Sequence, residues 1–495
     1  MKRGLFCFVT AFTLFLKQKG VDGKIVGALI LPHGEEALFP ELADSSGGSR
    51  ELQRASLEVS RKWKFNPSKS ALNSISAING IEEERDEREV DVVFLVTPHG
   101  LELSDDYLLY LNSHLSGSVD LQNPLYPHRA PKRVELEART DVPLAEEILR
   151  LLGRRAWKQK EKGKTENERK SPPYDLQGLN GFVGFGDAKK VLQLDQGEII
   201  PLSFLFSQTQ AEREKQTHTY TAEKASAPLF VEDVESTSAA QPPVVILSIP
   251  SSRYSHTGRV DDEMISELLN LGGDVGGVLE QSDRRVLWVV SADLAHTHLS
   301  EGPYGLSEFA QPFDRAVEEW AEGGGRQKLL GEAAELHNAG AAACGFTGLV
   351  LLQGMFDRVC SSVTRSDNQI SEKGERDSAC LSTSGATEWE SRVLGNFHPT
   401  YYGMLVAEMK RKRKNDAMNV RNPRTQTEEE GEKDVFARSE GLSAHFEKEP
   451  AEDNSFGFGG FELKGQREEK ENIRTKFSNE IVHSSPSSLP SLRYS

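Results

Sequence analysis

Four short stretches of the chain are apolar almost without interruption: 24–31 (KIVGALIL), 90–97 (VDVVFLVT), 244–249 (VVILSI) and 285–291 (RVLWVVS). Runs of this length without polar alternation predict strands covered on both faces, as in a parallel sheet. Between and beyond them, apolar positions recur every three to four residues at 50–63, 142–153, 262–271, 306–320 and 346–356, which predicts helices. Strands separated by helices predict an α/β fold, with a central, mostly parallel sheet flanked by helices.

Three polar stretches break the pattern. Residues 158–173, 208–242 and 361–388 are rich in Lys, Glu, Ser, Thr and Pro, and read as surface insertions or disordered loops. Residues 410–495 read as a disordered charged tail. Its basic run at 410–414 fits a solvated helix end entering a linker, with a nuclear localisation signal as the alternative. At the other end, Lys2 and Arg3 precede GLFCFVTAFTLFL, but no small-residue cleavage site follows. Residues 1–21 therefore read as an apolar extension, with a leader to an organelle or the secretory route left open. The stretch is too short to span a bilayer comfortably and no later one approaches that length, so no stable membrane span is expected. What remains, 22–409, is expected to form one domain.

Composition sharpens this. Hydrophobic residues make up 37% of the 495, and the mean hydropathy of −0.50 is low for such a length; the insertions and tail account for it. The formal net charge is −17. Residues 410–495 hold sixteen basic and sixteen acidic side chains, so the whole excess lies in the first 409. Such a surface repels polyanions and argues against nucleic acid as a partner. Four cysteines exclude a disulfide scaffold or Cys-rich zinc module and suit a reducing, cytoplasmic setting. A homo-oligomer is compatible with the sequence.

The candidate chemistry lies at strand ends. LILPHG puts His33 after the first predicted strand, and LVTPHG puts His99 after the second. VLWVVSADLAHTH puts Asp293, His296 and His298 after another. Ligands of open α/β sheets bind beyond the carboxyl ends of the strands, so parallel strands would bring these loops to one edge. Neutral imidazoles suit Fe, Zn and Cu. A single histidine after a strand is more often a hydrogen-bonded loop residue; two P-H-G repeats plus a third histidine favour a site.

Taken in order, KIVGALILPHGEEALFPEL, DVVFLVTPHG, LDQGEIIPLSFL, WVVSADLAHTHLSEGPYGLSEFAQPFD, AAACGFTGLVLLQGM and PTYYGMLVA resemble the landmarks of class III extradiol ring-cleavage dioxygenases. These belong to the LigB superfamily, with its Memo-like and AMMECR1-associated relatives. The resemblance implies Fe(2+) held by His33 and His99, and His296 as the acid–base residue. It further implies a small aromatic diol cleaved beside its hydroxyls with O2.

Two departures bear on that expectation. Where relatives read A-G-E-C-G, this chain has Ala343 in place of the glutamate that resembles the third ligand, followed by Cys344. Memo-like proteins place a metal-ligating cysteine in an equivalent segment, and a thiolate would favour Cu or Zn. The alternative is a small buried Cys344, with Glu335 or His337 as substitute ligands. Where relatives read D-H-G, this chain has Gln196, which hydrogen-bonds but does not titrate. Gln196 and Tyr304 are expected to bind substrate. Asp293 is expected to orient His296 or to cap the next element, and His398 is a candidate to enter the pocket. Three functions follow: an iron-dependent extradiol dioxygenase, a Memo-like metal-binding redox or signalling protein, or a catalytically degenerate binding module.

Overall fold

The computed structural model describes residues 24–43, 48–65, 86–153, 174–181, 191–206, 241–250, 258–364, 381–382 and 388–412. The segment 1–21, most of the three polar stretches and the tail beyond 412 lie outside them. In chain order the strands are β1 (Ile25–Leu31), β2 (Lys64–Phe65), β3 (Glu89–Val90), β4 (Val92–Thr97), β5 (Tyr107–Tyr110), β6 (His114–Leu121) and β7 (Lys132–Arg139). They continue with β8 (Leu176–Leu179), β9 (Val191–Gln193), β10 (Val244–Ser248), β11 (Val286–Ser291), β12 (Leu381–Ser382), β13 (Trp389–Phe397) and β14 (Met404–Arg411). The helices used below are α1 (Glu35–Leu38), α2 (Ser49–Lys62), α3 (Val142–Leu152), α4 (196–206), α5 (Asp262–Gln281), α6 (Ala310–Ala321) and α7 (Phe346–Thr364).

Among the described residues the main sheet has nine strands, in the order β12-β13-β14-β1-β11-β4-β10-β5-β8. Its centre, β1-β11-β4-β10, is wholly parallel. β14 joins β1, and β5 joins β10, in antiparallel fashion. The four apolar runs of the sequence are these four central strands, and every residue of each is buried. Their side chains alternate between two cores. Val92, Phe94 and Val96 pack with α3, α5, α6 and α7; Val93 and Leu95 pack with α1, α2 and α4. The chain is thus an α/β fold with helices on both faces of a mostly parallel sheet. A three-stranded sheet, β7-β6-β9, stands beside it.

Register fixes where the loops start. Leu31 pairs with Ser291, and Val290 with Val96, so β1, β11 and β4 end level with one another. His33, Asp293 and His99 each lie two residues beyond their strand. Neighbouring strands are about 4.8 Å apart, so the three loops leave the sheet within about 10 Å.

Two elements differ from the sequence expectation. Helix α5 does not stop at Leu271 but runs through Gly272, Gly273, Gly276 and Gly277 to Gln281. Packing against α7 overrides their poor helix propensity. A Cβ on Gly272 would lie 1.9 Å from the Leu351 carbonyl oxygen, and one on Gly354 would lie 2.2 Å from that of Leu269. The glycines let two backbones touch. The second difference is at the basic run: Lys410 and Arg411 end strand β14 rather than a helix. Arg411 pairs with Glu280 at 2.8 Å and Glu388 at 2.6 Å beside the Trp389 ring, which anchors the sheet's flank. No helix among the described residues is long and apolar enough to cross a membrane.

Candidate metal centre

His33 is held from three sides. Asp293 Oδ1 accepts the backbone N–H of His33 at 3.1 Å and that of Gly34 at 3.2 Å. His33 Nδ1 lies 2.9 Å from Ser291 Oγ, and that hydroxyl donates to the Gly197 carbonyl at 2.7 Å. The remaining ring nitrogen, Nε2, faces Cys344 Sγ and Asp293 Oδ2, each at 3.3 Å. Asp293 therefore braces the loop after β1. The turn it caps follows the neighbouring strand β1. Gly34 is required by close approach, since a Cβ there would meet the Tyr402 ring at 2.4 Å.

His99 approaches from the other side of β11. Its ring centroid is 4.8 Å from that of His33, with the planes at 85°. Thr97 Oγ1 accepts the His99 N–H at 3.1 Å. The N-terminus of α4 supports the loop from below. Asp195 and Glu198 form a capping pair there, the Glu198 carboxylate accepting the Asp195 N–H at 2.9 Å. The other oxygen of Glu198 takes the Tyr110 hydroxyl at 2.8 Å, and that hydroxyl accepts the Leu101 N–H at 2.6 Å. Gly197 presses against His99: a Cβ would fall 2.8 Å from the His99 Cβ and 2.6 Å from Thr97 Oγ1.

Cys344, a free and buried thiol, comes from the turn that opens α7. The neighbouring Gly345 N–H donates to the Asp293 carbonyl at 2.9 Å. A Cβ on Gly345 would sit 2.5 Å from that same oxygen, so the C-G pair is what lets this turn reach the strand edge. Ala343 pairs with Ala295 in an isolated antiparallel bridge. Its methyl group can ligate nothing, and the side chain that meets His33 is Cys344. One ligand atom each from His33, His99 and Cys344 lie within 4.8 Å of one another. Donors around a tetrahedral ion stand about 3.3–3.6 Å apart, from metal–N near 2.0–2.1 Å and metal–S near 2.3 Å. The Nε2–Sγ pair is already near that separation, and the wider spacing within the cluster would have to close for all three donors to reach one ion.

Burial sets the electrostatics. It pushes His33 down to about 3. It also pushes Asp293 up to about 7, and the Cys344 thiol well above its ordinary range. A bound cation reverses the logic for thiol and carboxylate, because a coordinating thiol loses its proton outright.

The other residues singled out by the sequence divide into two groups. His296 is half-buried inside an aromatic collar, its ring 5.7 Å from Tyr304, 6.2 Å from Tyr401 and 5.6 Å from Tyr402. Its backbone N–H bonds the Ala341 and Ala342 carbonyls, tying it to the segment that carries Cys344. Tyr304 is 41% exposed on the rim. Gln196 donates to the His33 carbonyl and to Glu35 Oε2, both at 3.1 Å, so its amide braces the His33 loop. The second group stays outside the cluster. Glu335 is exposed, and His337 contacts the Ala343 carbonyl at 3.3 Å between Phe313 and Phe346. His298 pairs with Asp314 at 2.8 Å and stacks on His398 at 4.2 Å.

Sequence reasoning passed over Ser291, Glu35, Glu36, Tyr401 and Tyr402. The Tyr402 hydroxyl, with its single hydrogen, lies between two carboxylates, Glu35 at 3.1 Å and Glu36, whose other oxygen accepts from Asn123. Two acidic residues directly after P-H-G, in an otherwise apolar segment, were the available signal.

No family model matches the chain, and no curated protein matches it. Among solved structures, an uncharacterized protein of Escherichia coli K12, JW3007, aligns with a TM-score of 0.36 and 12% identity, over 77% of this chain and 99% of that one.

Proposed function

We propose that the chain is a metal-dependent redox protein in which His33, His99 and Cys344 hold a single transition-metal ion. The observation that carries this reading is the gathering of three buried or half-buried donors from three separate elements within 4.8 Å. A thiolate among them favours Cu or Zn over Fe(2+), which supports the Memo-like alternative. When bound, copper would supply electron-transfer chemistry, whereas zinc would supply Lewis-acid chemistry alone. The chain's own groups then act around it: His33 and His99 donate neutral imidazole nitrogens, Cys344 donates sulfur, and Asp293 holds the His33 loop in place.

A second reading, extradiol cleavage of a small aromatic diol with O2, is favoured by the collar. Tyr304, Tyr401 and Tyr402 gather around His296, two tilted and one edge-on, and supply aromatic surface of the kind that binds a planar aromatic guest. His296 would accept a phenolic proton and return it to the product. Gln196 braces the His33 loop through the His33 carbonyl and Glu35.

Metal content after loading decides the first reading. Purified protein is exposed separately to Cu(I), Zn(II) and, without oxygen, Fe(II), then stripped of loosely held ions and analysed. One ion per chain, lost in His33→Ala, His99→Ala and Cys344→Ser, is the expected result. No stoichiometric uptake of any of the three would overturn both readings.

A further inference from the structure

We propose that Ser291 is the positioning residue that decides which nitrogen of His33 carries the ring proton, and so keeps Nε2 available as a metal donor. This rests on the metal reading above. Ser291 is the last residue of β11, wholly buried, one strand over from the histidine it serves. Its hydroxyl has one hydrogen, and that hydrogen goes to the Gly197 carbonyl at 2.7 Å. Towards His33 Nδ1, at 2.9 Å, the same oxygen can then only accept. Nδ1 must therefore be the protonated nitrogen, and Nε2 carries the lone pair.

The arrangement matters because a competing acceptor lies on the other side of the ring. Asp293 Oδ2 is 3.3 Å from Nε2. With Nδ1 unsupported, the proton would move to Nε2 and bond that carboxylate, and the lone pair would turn away from Cys344 and His99. Two acceptors contend for one imidazole proton, and Ser291 wins because the Gly197 carbonyl fixes its direction. Gly197 cannot drift, since it is wedged against Thr97 and His99. The α4 N-terminus thus orients one histidine through a serine and supports the other by contact. Outer partners of this kind typically change metal affinity about 10–100-fold.

The test reads the tautomer directly, by long-range ¹H–¹⁵N correlation spectra of His33 in metal-free protein. Cu(I) and Zn(II) affinities are measured alongside by chelator competition. Wild type is expected to show Nδ1–H. Ser291→Ala is expected to show Nε2–H and to bind the metal about 10–100-fold more weakly. Ser291→Thr, which keeps the hydroxyl, should restore both. A second rescue avoids the added methyl group. In Ser291→Ala/Asp293→Asn, the amide oxygen can still accept the His33 and Gly34 N–H groups while its NH2 donates to Nε2, which should return the proton to Nδ1. An unchanged tautomer in Ser291→Ala, or Nε2–H in wild type, overturns the proposal. If wild type takes up no metal, the metal reading falls, while the spectra of metal-free protein still decide the orientation.

Discussion

Cys344 Sγ stands 3.3 Å from His33 Nε2 across 311 positions of sequence. The thiol is brought there by the Gly345 turn and the bridge between Ala295 and Ala343, and the imidazole by the end of β1. Replacing the sulfur should therefore change which metal is chosen more than whether the chain folds. Cys344→Ser is expected to lower Cu(I) affinity by more than about 100-fold, beyond the usual effect of an outer partner. Zn(II) affinity should fall less, because oxygen and nitrogen donors still suit that ion. Competition titrations with matched chelators measure both.

The dioxygenase reading has its own measurement. His296→Gln keeps the size and hydrogen-bonding character of the ring position but cannot carry a proton in turnover. Oxygen uptake with a panel of catechols should drop about 10²–10⁴-fold, while metal content stays at the wild-type level. Equal uptake in variant and wild type would remove His296 from the chemistry.

Glu36 should make the metal-free protein less stable as pH rises. Burial, reinforced by the neighbouring Glu35, raises its carboxyl to about 8 in the folded chain from its ordinary value of 4.5. The folded state thus holds a proton that the unfolded chain has released, and between pH 4.5 and 8 the stability contributed by that proton is progressively lost. Glu36→Gln removes this dependence. Urea unfolding at pH 5, 6, 7 and 8 is expected to show a shallower decline in the variant, by about 1 kcal/mol or more over the range.

The glycines of α5 should respond in opposite directions. A Cβ on Gly272 runs into the Leu351 backbone at 1.9 Å, so Gly272→Ala must push two helices apart. It should cost about 1–3 kcal/mol. At Gly277 the nearest neighbour is the flexible Arg358 side chain at 3.4 Å. Gly277→Ala should stabilise by up to about 1 kcal/mol through helix propensity alone. Thermal melts of the two variants against wild type separate the effects.

The four central strands were legible because a strand buried on both faces leaves a continuous apolar run, and VVFLVT or VLWVVS has few other readings. The placement of His33 and His99 beyond the ends of two neighbouring strands was legible from the P-H-G repeats, whereas Cys344 came forward only through the resemblance to Memo-like proteins. The extent of α5 beyond Leu271 was not legible, because the apolar periodicity breaks at the glycines and only contact with α7 carries the helix on to Gln281. The strand position of Lys410 and Arg411 was not legible, because charge alone does not reveal that Glu280 and Glu388 stand opposite Arg411. Ser291 was missed for a similar reason. A serine closing an apolar run looks like a stop signal, and its task depends on a carbonyl 94 residues away.

The level ends of β1, β11 and β4 carry one more implication. The loops that carry His33 and His99 start from strands whose register is locked by burial on both faces. Segments joining these strands can therefore gain or lose length over evolution without displacing either histidine. The vulnerability lies elsewhere. A slip of one residue between β1 and β11 would turn every side chain of β1 to the opposite face. It would also carry His33 off the edge where His99 and Cys344 meet it, so the site's tolerance of insertion is matched by its intolerance of a single step in the sheet.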